Sequence, residues 1–351
     1  MRRIWTSFAV LGSTIALVAG TAFAGDYHRL QQLVCADCHT MHYSQSHGAT
    51  PNGTGIFTPL GAAGPYEYLL RNDINDLCLS CHDNQAFAPD VFESHSNGYL
   101  RQAGALNEVG GNGLYPNATG HTLGSTAVAP GSSPAWSNPA GLECADCHNP
   151  HGSTTGYRNL RAGSPSVSIL YSRGDVEVTN DLTKWVFEDA SSGVTANHYG
   201  QDHITFNEPT ATASQYAQFC KQCHTNFHGD VGGTEIGGIG SPAAEFHRHP
   251  ASTSNIGALG GGHSSMATFS AKVNQVQVMS PTGVRAGSYT ALNTDLTPSC
   301  MSCHKGHGNQ NPFGLIFMLG SGPMTEQGDA GVDMRNSCRQ CHRQGGTSTT
   351  W

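Results

Sequence analysis

The hydrophobic residues of this 351-residue chain follow a helical or strand period only over short stretches. Residues 103–143 are dense in Gly, Asn, Pro and Ser, which is typical of irregular loops. Short helices are predicted for residues 65–76 and 212–222, which lead into cysteine motifs, and for residues 333–343, which carry the last motif. Regular structure is therefore expected in only a small part of the chain.

Two segments carry the signals of small β-hairpins. Residues 273–279 alternate apolar and polar side chains, and the Ser-Pro-Thr-Gly sequence at 280–283 then offers a turn. A second hairpin is predicted at residues 167–178. The predicted fold class is a chain of mostly coil with short helices and a few small β-hairpins.

The N-terminal residues have the pattern of an export signal. Arg2 and Arg3 precede an apolar run at residues 8–18, and an Ala-Phe-Ala sequence ends at residue 24. The run is shorter than the about 20 apolar residues of a membrane anchor, and no later segment is long enough to span a bilayer. We predict a cleaved Sec-type signal peptide at 1–24 and a single domain at 25–351. This domain is expected outside the cell or on its surface, with the periplasm as the alternative.

The composition leaves too little side-chain mass for a conventional core. Only 37% of residues are hydrophobic and 12% are charged, against about 25% charged in an average domain. Aromatic residues still reach 8%, which does not fit a disordered chain. A non-protein group is therefore expected to fill the interior. The formal net charge of −8 argues against a nucleic-acid partner.

All twelve cysteines fall in six C-x-x-C-H motifs, the signature of c-type haem attachment. In such a motif the two thiols bond the porphyrin and the histidine binds the iron from the proximal side. Six haem c groups are thus predicted, and their apolar faces supply the missing core. The thioether ligands are Cys35, Cys38, Cys78, Cys81, Cys144, Cys147, Cys220, Cys223, Cys300, Cys303, Cys338 and Cys341. The proximal ligands are His39, His82, His148, His224, His304 and His342.

Other uses of cysteine fit this spacing less well. An exported chain with an even number of cysteines suggests disulfides, but disulfide pairing does not require this repeated spacing. Zinc sites also use C-x-x-C pairs, yet nothing in zinc chemistry requires a histidine directly after each pair. A thioredoxin-type redox motif would not recur six times in one chain. Covalent haem attachment is therefore the interpretation that accounts for every cysteine.

The motifs alternate between two types, which suggests three haem pairs, 1–2, 3–4 and 5–6. The first, third and fifth motifs (the odd motifs) continue to a second histidine three residues later, His42, His151 and His307. Residues three apart share one side of a helical turn, so such a pair cannot hold both faces of one porphyrin. Each of these histidines is therefore predicted to bind a different iron from its neighbour, or none.

Histidine is also the expected ligand on the distal side of the other irons. Thirteen histidines remain after the six proximal ones, whereas methionines show no repeated pattern. The remaining distal candidates are His121 and His263, which follow glycine, and His249. His95 and His228 are reserves. The histidines without a predicted role are His28, His47, His198, His203 and His247.

The order of the motifs resembles one cytochrome family. The segments that carry the resemblance are a Cys-His-Thr-Met-His near the mature start, a Cys-Leu-x-Cys-His, a Cys-His-x-Pro-His-Gly and a later Arg-His-Pro. The chain is similar in this order to the OmcS-like hexahaem c-type cytochromes of metal-reducing bacteria, which form extracellular filaments. The resemblance covers Cys35 to His342, is thin between motifs, and does not include the tail that ends at Trp351. It implies all-histidine ligation and a head-to-tail homopolymer in which His42 binds the fifth-motif haem of the next subunit.

Two classes of function remain open on the sequence. The first is an electron-transfer protein without enzyme activity, either a filament subunit or a soluble or outer-membrane-associated carrier, whose partners are other redox proteins and extracellular acceptors. The second is a multihaem reductase, which needs an iron with an open site. All six motifs end in histidine and spare histidines are abundant, which favours the electron conduit.

Overall fold

The structure is a computed structural model, and it places the histidines and cysteines of most motifs. The described residues are 28, 33, 35–40, 61, 64–85, 88–92, 103–107, 120–132, 135–152, 157–161, 171–174, 186–189, 204–206, 215–224, 256, 269–270, 276–279, 290, 292, 296–319 and 331–341. The predicted signal peptide and the predicted turn at 280–283 lie outside them. Most of the described chain is coil, as predicted.

Within the described residues, six short helices carry most of the cysteines. They are α1 (Cys35–Cys38), α2 (Ile74–His82), α3 (Cys144–Cys147), α4 (Gln215–Lys221), α5 (Cys300–Cys303) and α6 (Arg335–Cys338). The prediction for residues 212–222 is confirmed by α4. The prediction for residues 333–343 was too long, because α6 has only four residues and the chain continues as turns to residue 341.

The helix predicted at residues 65–76 was wrong in its position. Helix α2 begins at Ile74, and the Asp73 side chain caps it by accepting a hydrogen bond of 3.0 Å from the backbone N–H of Asp76. Just before it, Tyr68 and Leu69 both have a φ of +56°, which no right-handed helix can include. The chain therefore turns at 67–69 and starts the helix only at the cap.

The hairpin predicted at residues 167–178 was also wrong. Strand β1 (Tyr171–Gly174) pairs in parallel with β2 (Val186–Asp189), and β2 pairs antiparallel with β3 (Ile204–Phe206). Strands in parallel need a crossover connection, so the partner of β1 cannot lie directly after it. These strands form a three-stranded sheet in the order β1-β2-β3.

Residues 276–279 are extended but do not have one exposed face. Gln277 is as buried as its neighbours Val276 and Val278, and Met279 pairs antiparallel with Thr297. The alternation of apolar and polar residues therefore does not mark a solvent face, as a half-exposed hairpin would require. The segment belongs to a buried cluster made of Ile256, Phe269, Val276, Val278, Leu296, Ile316 and Phe317.

Each odd motif is followed by the same small antiparallel unit. The proximal histidine bridges to a leucine that follows a tight turn, in the pairs His39 with Leu70, His148 with Leu160, and His304 with Leu315. The turns are Glu67–Leu69, Tyr157–Asn159 and Pro312–Gly314. The repeat expected from the motifs is thus a structural repeat that extends beyond the cysteines.

The helices in the described part of the chain are all too short or too polar to cross a membrane.

Candidate haem-binding sites

The three odd motifs show most simply how the motif folds. In α1, α3 and α5 the two cysteines are the first and last residues of a single helical turn, three residues apart, so they share one side. The proximal histidine follows at once, and its N–H closes the turn on the first cysteine, as in the 2.9 Å bond from His148 to the Cys144 carbonyl. Two thiols and one imidazole are thereby held together by the local backbone.

Successive motifs lie next to one another in chain order. Cys78 and Cys144 share a side-chain hydrogen bond that raises the pKa of Cys78, and Cys220 and Cys300 do the same. In the other successive motifs the thiols lie near enough for one to raise the pKa of the other, in the pairs Cys38 with Cys81, Cys147 with Cys223, and Cys303 with Cys341. The motifs therefore form a continuous row. The expected pairs 1–2, 3–4 and 5–6 lie close together, and so do motifs 2 and 3 and motifs 4 and 5.

Four pairs of histidine rings face each other at nearly the same distance. Each pair joins the proximal histidine of one motif to a histidine from elsewhere in the chain. The ring centres are 6.1 Å apart for His28 and His82, 5.9 Å for His39 and His151, 6.0 Å for His121 and His224, and 6.0 Å for His148 and His307.

This distance is the one that two imidazoles bound to a single iron would have. A metal–imidazole bond of about 2 Å on each side, together with the ring dimensions, separates the ring centres by about 6 Å. Two thiols of the same motif lie beside each pair because the proximal histidine directly follows them. The residues present at motifs 1 to 4 therefore fit a haem c group with two histidine ligands.

The backbone fixes which ring nitrogen of these histidines is available to a metal. The Nδ1–H of His82 donates to the Pro89 carbonyl at 3.0 Å, and that of His224 donates to the Pro130 carbonyl at 2.9 Å. Two of the partner histidines do the same, His28 toward Pro150 at 3.1 Å and His121 toward Gly306 at 2.8 Å. With its proton held on Nδ1, each ring presents an unprotonated Nε2, the form that binds iron.

Burial favours the neutral form of these rings. Desolvation lowers the pKa of His28, His82, His121 and His148 below the usual histidine value, although backbone hydrogen bonds oppose it. A neutral imidazole is the form that a metal ligand needs.

The structure brings three of the predicted distal histidines to a proximal one. His151, from the third motif, faces His39 of the first, and His307, from the fifth, faces His148 of the third. His121 faces His224 of the fourth motif. The second histidines of the third and fifth motifs therefore lie at the proximal histidine of the odd motif before their own. The candidates His42, His95, His228, His249, His263 and His342 lie outside the described residues.

Sequence reasoning missed His28, which had no predicted role but lies opposite His82. The missed signal is the position of His28 in the order of the motifs. His28 precedes the first motif as His121 precedes the third, and both face the even motif that comes next in the chain. His121 follows a glycine, Gly120, but His28 does not, so the correspondence between the two histidines was not recognised.

Within the described residues, no group of three or more His, Cys, Asp or Glu side chains is placed to hold a metal ion. A structural zinc site would gather four such ligands around one ion. The paired imidazoles described above are a different arrangement, with two ligands on opposite sides of a gap.

Comparison with known proteins agrees with the resemblance seen in the sequence. No protein-family profile matches the chain. The chain is 22% identical over 366 positions to the C-type cytochrome OmcS of Geobacter sulfurreducens, covering 86% of this chain and 82% of that protein. The resemblance to OmcS-like cytochromes is thereby confirmed.

Two solved structures are also similar to this chain. The outer membrane cytochrome S filament of Geobacter sulfurreducens has 16% identity and a TM-score of 0.45, over 82% of this chain and 84% of the other. The OmcS nanowires of the same organism have 18% identity and a TM-score of 0.43, over 88% of this chain and 93% of the other.

Proposed function

We propose that this chain is the subunit of an extracellular cytochrome filament that carries electrons along six haem c groups, each held by two histidines. The observation that carries the proposal is the crossing of histidines between odd motifs, described above. The row of motifs in chain order and the similarity to OmcS support it further.

The crossing pattern gives each odd iron a ligand from the next odd motif. His151 serves the first motif and His307 serves the third. Each of these ligands therefore binds the iron of the motif that comes two places before its own. The same step from the first motif leads out of the chain, because no motif precedes it. His42 is therefore assigned to the fifth motif of a neighbouring subunit, opposite that subunit's own proximal histidine.

The even irons follow a second rule. His28 and His121 each precede an odd motif and face the even motif that follows it. By the same rule, His263, which precedes the fifth motif, is assigned to the sixth motif opposite His342. This assignment gives all six irons two histidines and leaves His249, with the reserves His95 and His228, without an iron.

The chain's part in electron transfer is to hold and space the haems. When bound, haem c supplies an iron that cycles between the ferric and ferrous states. The protein orients seven of the described imidazoles through a carbonyl on Nδ1, keeps successive motifs close together and would supply two histidines to each iron. With both positions filled, no iron has the open site that a reductase needs, which favours a conduit over an enzyme.

A ligand that crosses between subunits also explains polymerisation. The donor His42 lies near the start of the mature chain and the acceptor motif near its end, so the contact joins two different surfaces. Such a head-to-tail contact does not close on itself and extends into a filament. Export through the predicted signal peptide would place this filament outside the cell.

The proposal is tested by His42→Ala, with His47→Ala as the matched control five residues later. We expect His42→Ala to keep six covalent haems, to remain monomeric, and to show one high-spin ferric iron of the six. His47→Ala should form filaments with six low-spin irons. Ordinary filaments from His42→Ala would overturn the inter-subunit role. A high-spin iron in the unaltered filament would instead favour the reductase.

A further inference from the structure

Three turns outside the cysteine motifs adopt a backbone conformation that is costly for most residues. In each turn two consecutive residues have φ in the left-handed region, and five of the six are not glycine. The values are +56° for Tyr68 and Leu69, +50° for Arg158, +56° for Asn159, +59° for Phe313 and +64° for Gly314. In two of these turns a hydrogen bond closes the ends, Leu70 to Glu67 at 3.0 Å and Leu315 to Pro312 at 3.2 Å.

Such turns are the mirror-image type of β-turn, for which Asn-Gly is the favoured sequence. Tyr-Leu, Arg-Asn and Phe-Gly are found here instead. Strained backbone of this kind persists where the surrounding structure imposes it, and it concentrates at functional sites. The contacts of the three turns are therefore expected to explain their strained conformation.

Each turn offers the carbonyl of its first left-handed residue to the proximal histidine of an odd motif. The Nδ1–H of the histidine donates to this carbonyl, at 3.0 Å from His39 to Tyr68, 2.9 Å from His148 to Arg158 and 2.8 Å from His304 to Phe313. The described even motifs use prolyl carbonyls at Pro89 and Pro130 instead, and neither carbonyl belongs to a turn with two consecutive left-handed residues.

Backbone hydrogen bonds on both sides hold each carbonyl in register with its motif. At the first motif, Thr40 donates to Leu69 at 2.8 Å and Arg71 donates to Cys38 at 2.9 Å. The same two bonds recur at the third motif, where Asn149 donates to Asn159, and at the fifth, where Lys305 donates to Gly314. The turn and the motif thus form one hydrogen-bonded unit, in which the turn carbonyl cannot move relative to the proximal histidine.

We propose that the three turns are positioning sites for the proximal imidazoles of the first, third and fifth haems. Each carbonyl keeps the ring proton on Nδ1 and fixes the rotation of the ring. The hydrogen bond also makes Nε2 a stronger electron donor to iron, which stabilises the ferric state and lowers the reduction potential. This inference rests on the proposed haem ligation but does not require the filament.

The test compares Leu69→Pro with Leu69→Gly in the mature holoprotein. Proline fixes φ near −65° and pushes the residue before it out of the helical regions, so the Tyr68 carbonyl must leave His39. Glycine allows the left-handed conformation and is the residue that the third turn already has at Gly314. Redox titration followed by visible absorption, with EPR of the oxidised protein, reads the individual haems.

We expect Leu69→Pro to retain six low-spin haems and to shift one of them to a more positive potential. The ferrous-to-ferric ratio of that haem at a fixed potential should rise roughly threefold or more, where tenfold corresponds to 59 mV. Leu69→Gly should leave all potentials unchanged. Identical titrations for both variants and the unaltered protein, with six haems attached, would overturn the proposal.

A second pair of variants covers the case in which Leu69→Pro does not mature. Gly314→Val places a β-branched side chain at a φ of +64°, which it adopts only with strain, and should shift the fifth-motif haem in the same direction. Asn159→Gly relieves strain and should change no potential. No shift in Gly314→Val would contradict the inference. A high-spin iron in the unaltered protein would instead count against the proposed ligation.

Discussion

Replacing His28 by alanine is the sharpest test of the ligand pairs, because no role was predicted for this residue from the sequence. Its ring centre lies 6.1 Å from that of His82, and its Nδ1–H donates to the Pro150 carbonyl at 3.1 Å. The only ring-to-ring distance that a shared iron allows is about 6 Å. Removing His28 should therefore leave one iron of six with a single histidine.

The size of the effect follows from the number of motifs. One haem of six should become high-spin, so about one sixth of the haem absorbance should move to the high-spin bands, with six haems still attached. The potential of that haem should also rise because a strong donor is lost. The other three described pairs share no residue with His28 and should be unchanged.

Two matched variants separate ligand loss from general damage. His28→Met offers a thioether, so it should keep the iron low-spin and raise its potential, as methionine ligation does. His203→Ala removes a histidine without a predicted role and should change neither spectrum nor potential. Six low-spin irons and unaltered potentials in His28→Ala would refute the inference from ring distance.

Three further predictions concern the whole molecule. The intact mass of the mature chain should exceed that of the polypeptide by six haem units, and a thiol that still reacts with a labelling reagent would contradict this count. Because the His39 and His151 rings are 12° from parallel whereas those of His148 and His307 are 73° apart, EPR should resolve a rhombic low-spin ferric signal and a separate signal with a large maximum g value. One uniform low-spin signal would argue against these ring orientations. Asp73→Ala should lower the stability of the holoprotein to thermal unfolding by about 1 kcal/mol through loss of the α2 cap, with a smaller loss for Asp73→Asn, and equal losses would show that the capping bond is not the cause.

The chemistry of the sites could be predicted because it is local. The spacing of Cys144, Cys147 and His148 is set by one helical turn, so the motif can be recognised without knowing the fold. His151 could be predicted on equally local grounds to bind another iron than His148, or none, since the two residues are only three apart. Predictions of this kind need no information about distant contacts.

The elements that were wrong depend on pairing over long distances. Residues 171–174 carry strand character, but nothing near them indicates that their parallel partner lies at 186–189. The helix expected from residue 65 was displaced because Tyr68 and Leu69 are held in a left-handed turn by the first motif, far away in sequence. Local propensity did not predict this turn, since neither residue favours such a conformation.

The electron conduit is tested most directly by electron cryo-microscopy of the purified, fully matured protein. The proposed function predicts a head-to-tail filament with an unbroken row of haems, six per subunit, in which the imidazole of His42 lies on the iron of the neighbouring subunit's fifth motif. Discrete monomers in which every iron takes both ligands from its own chain would contradict it.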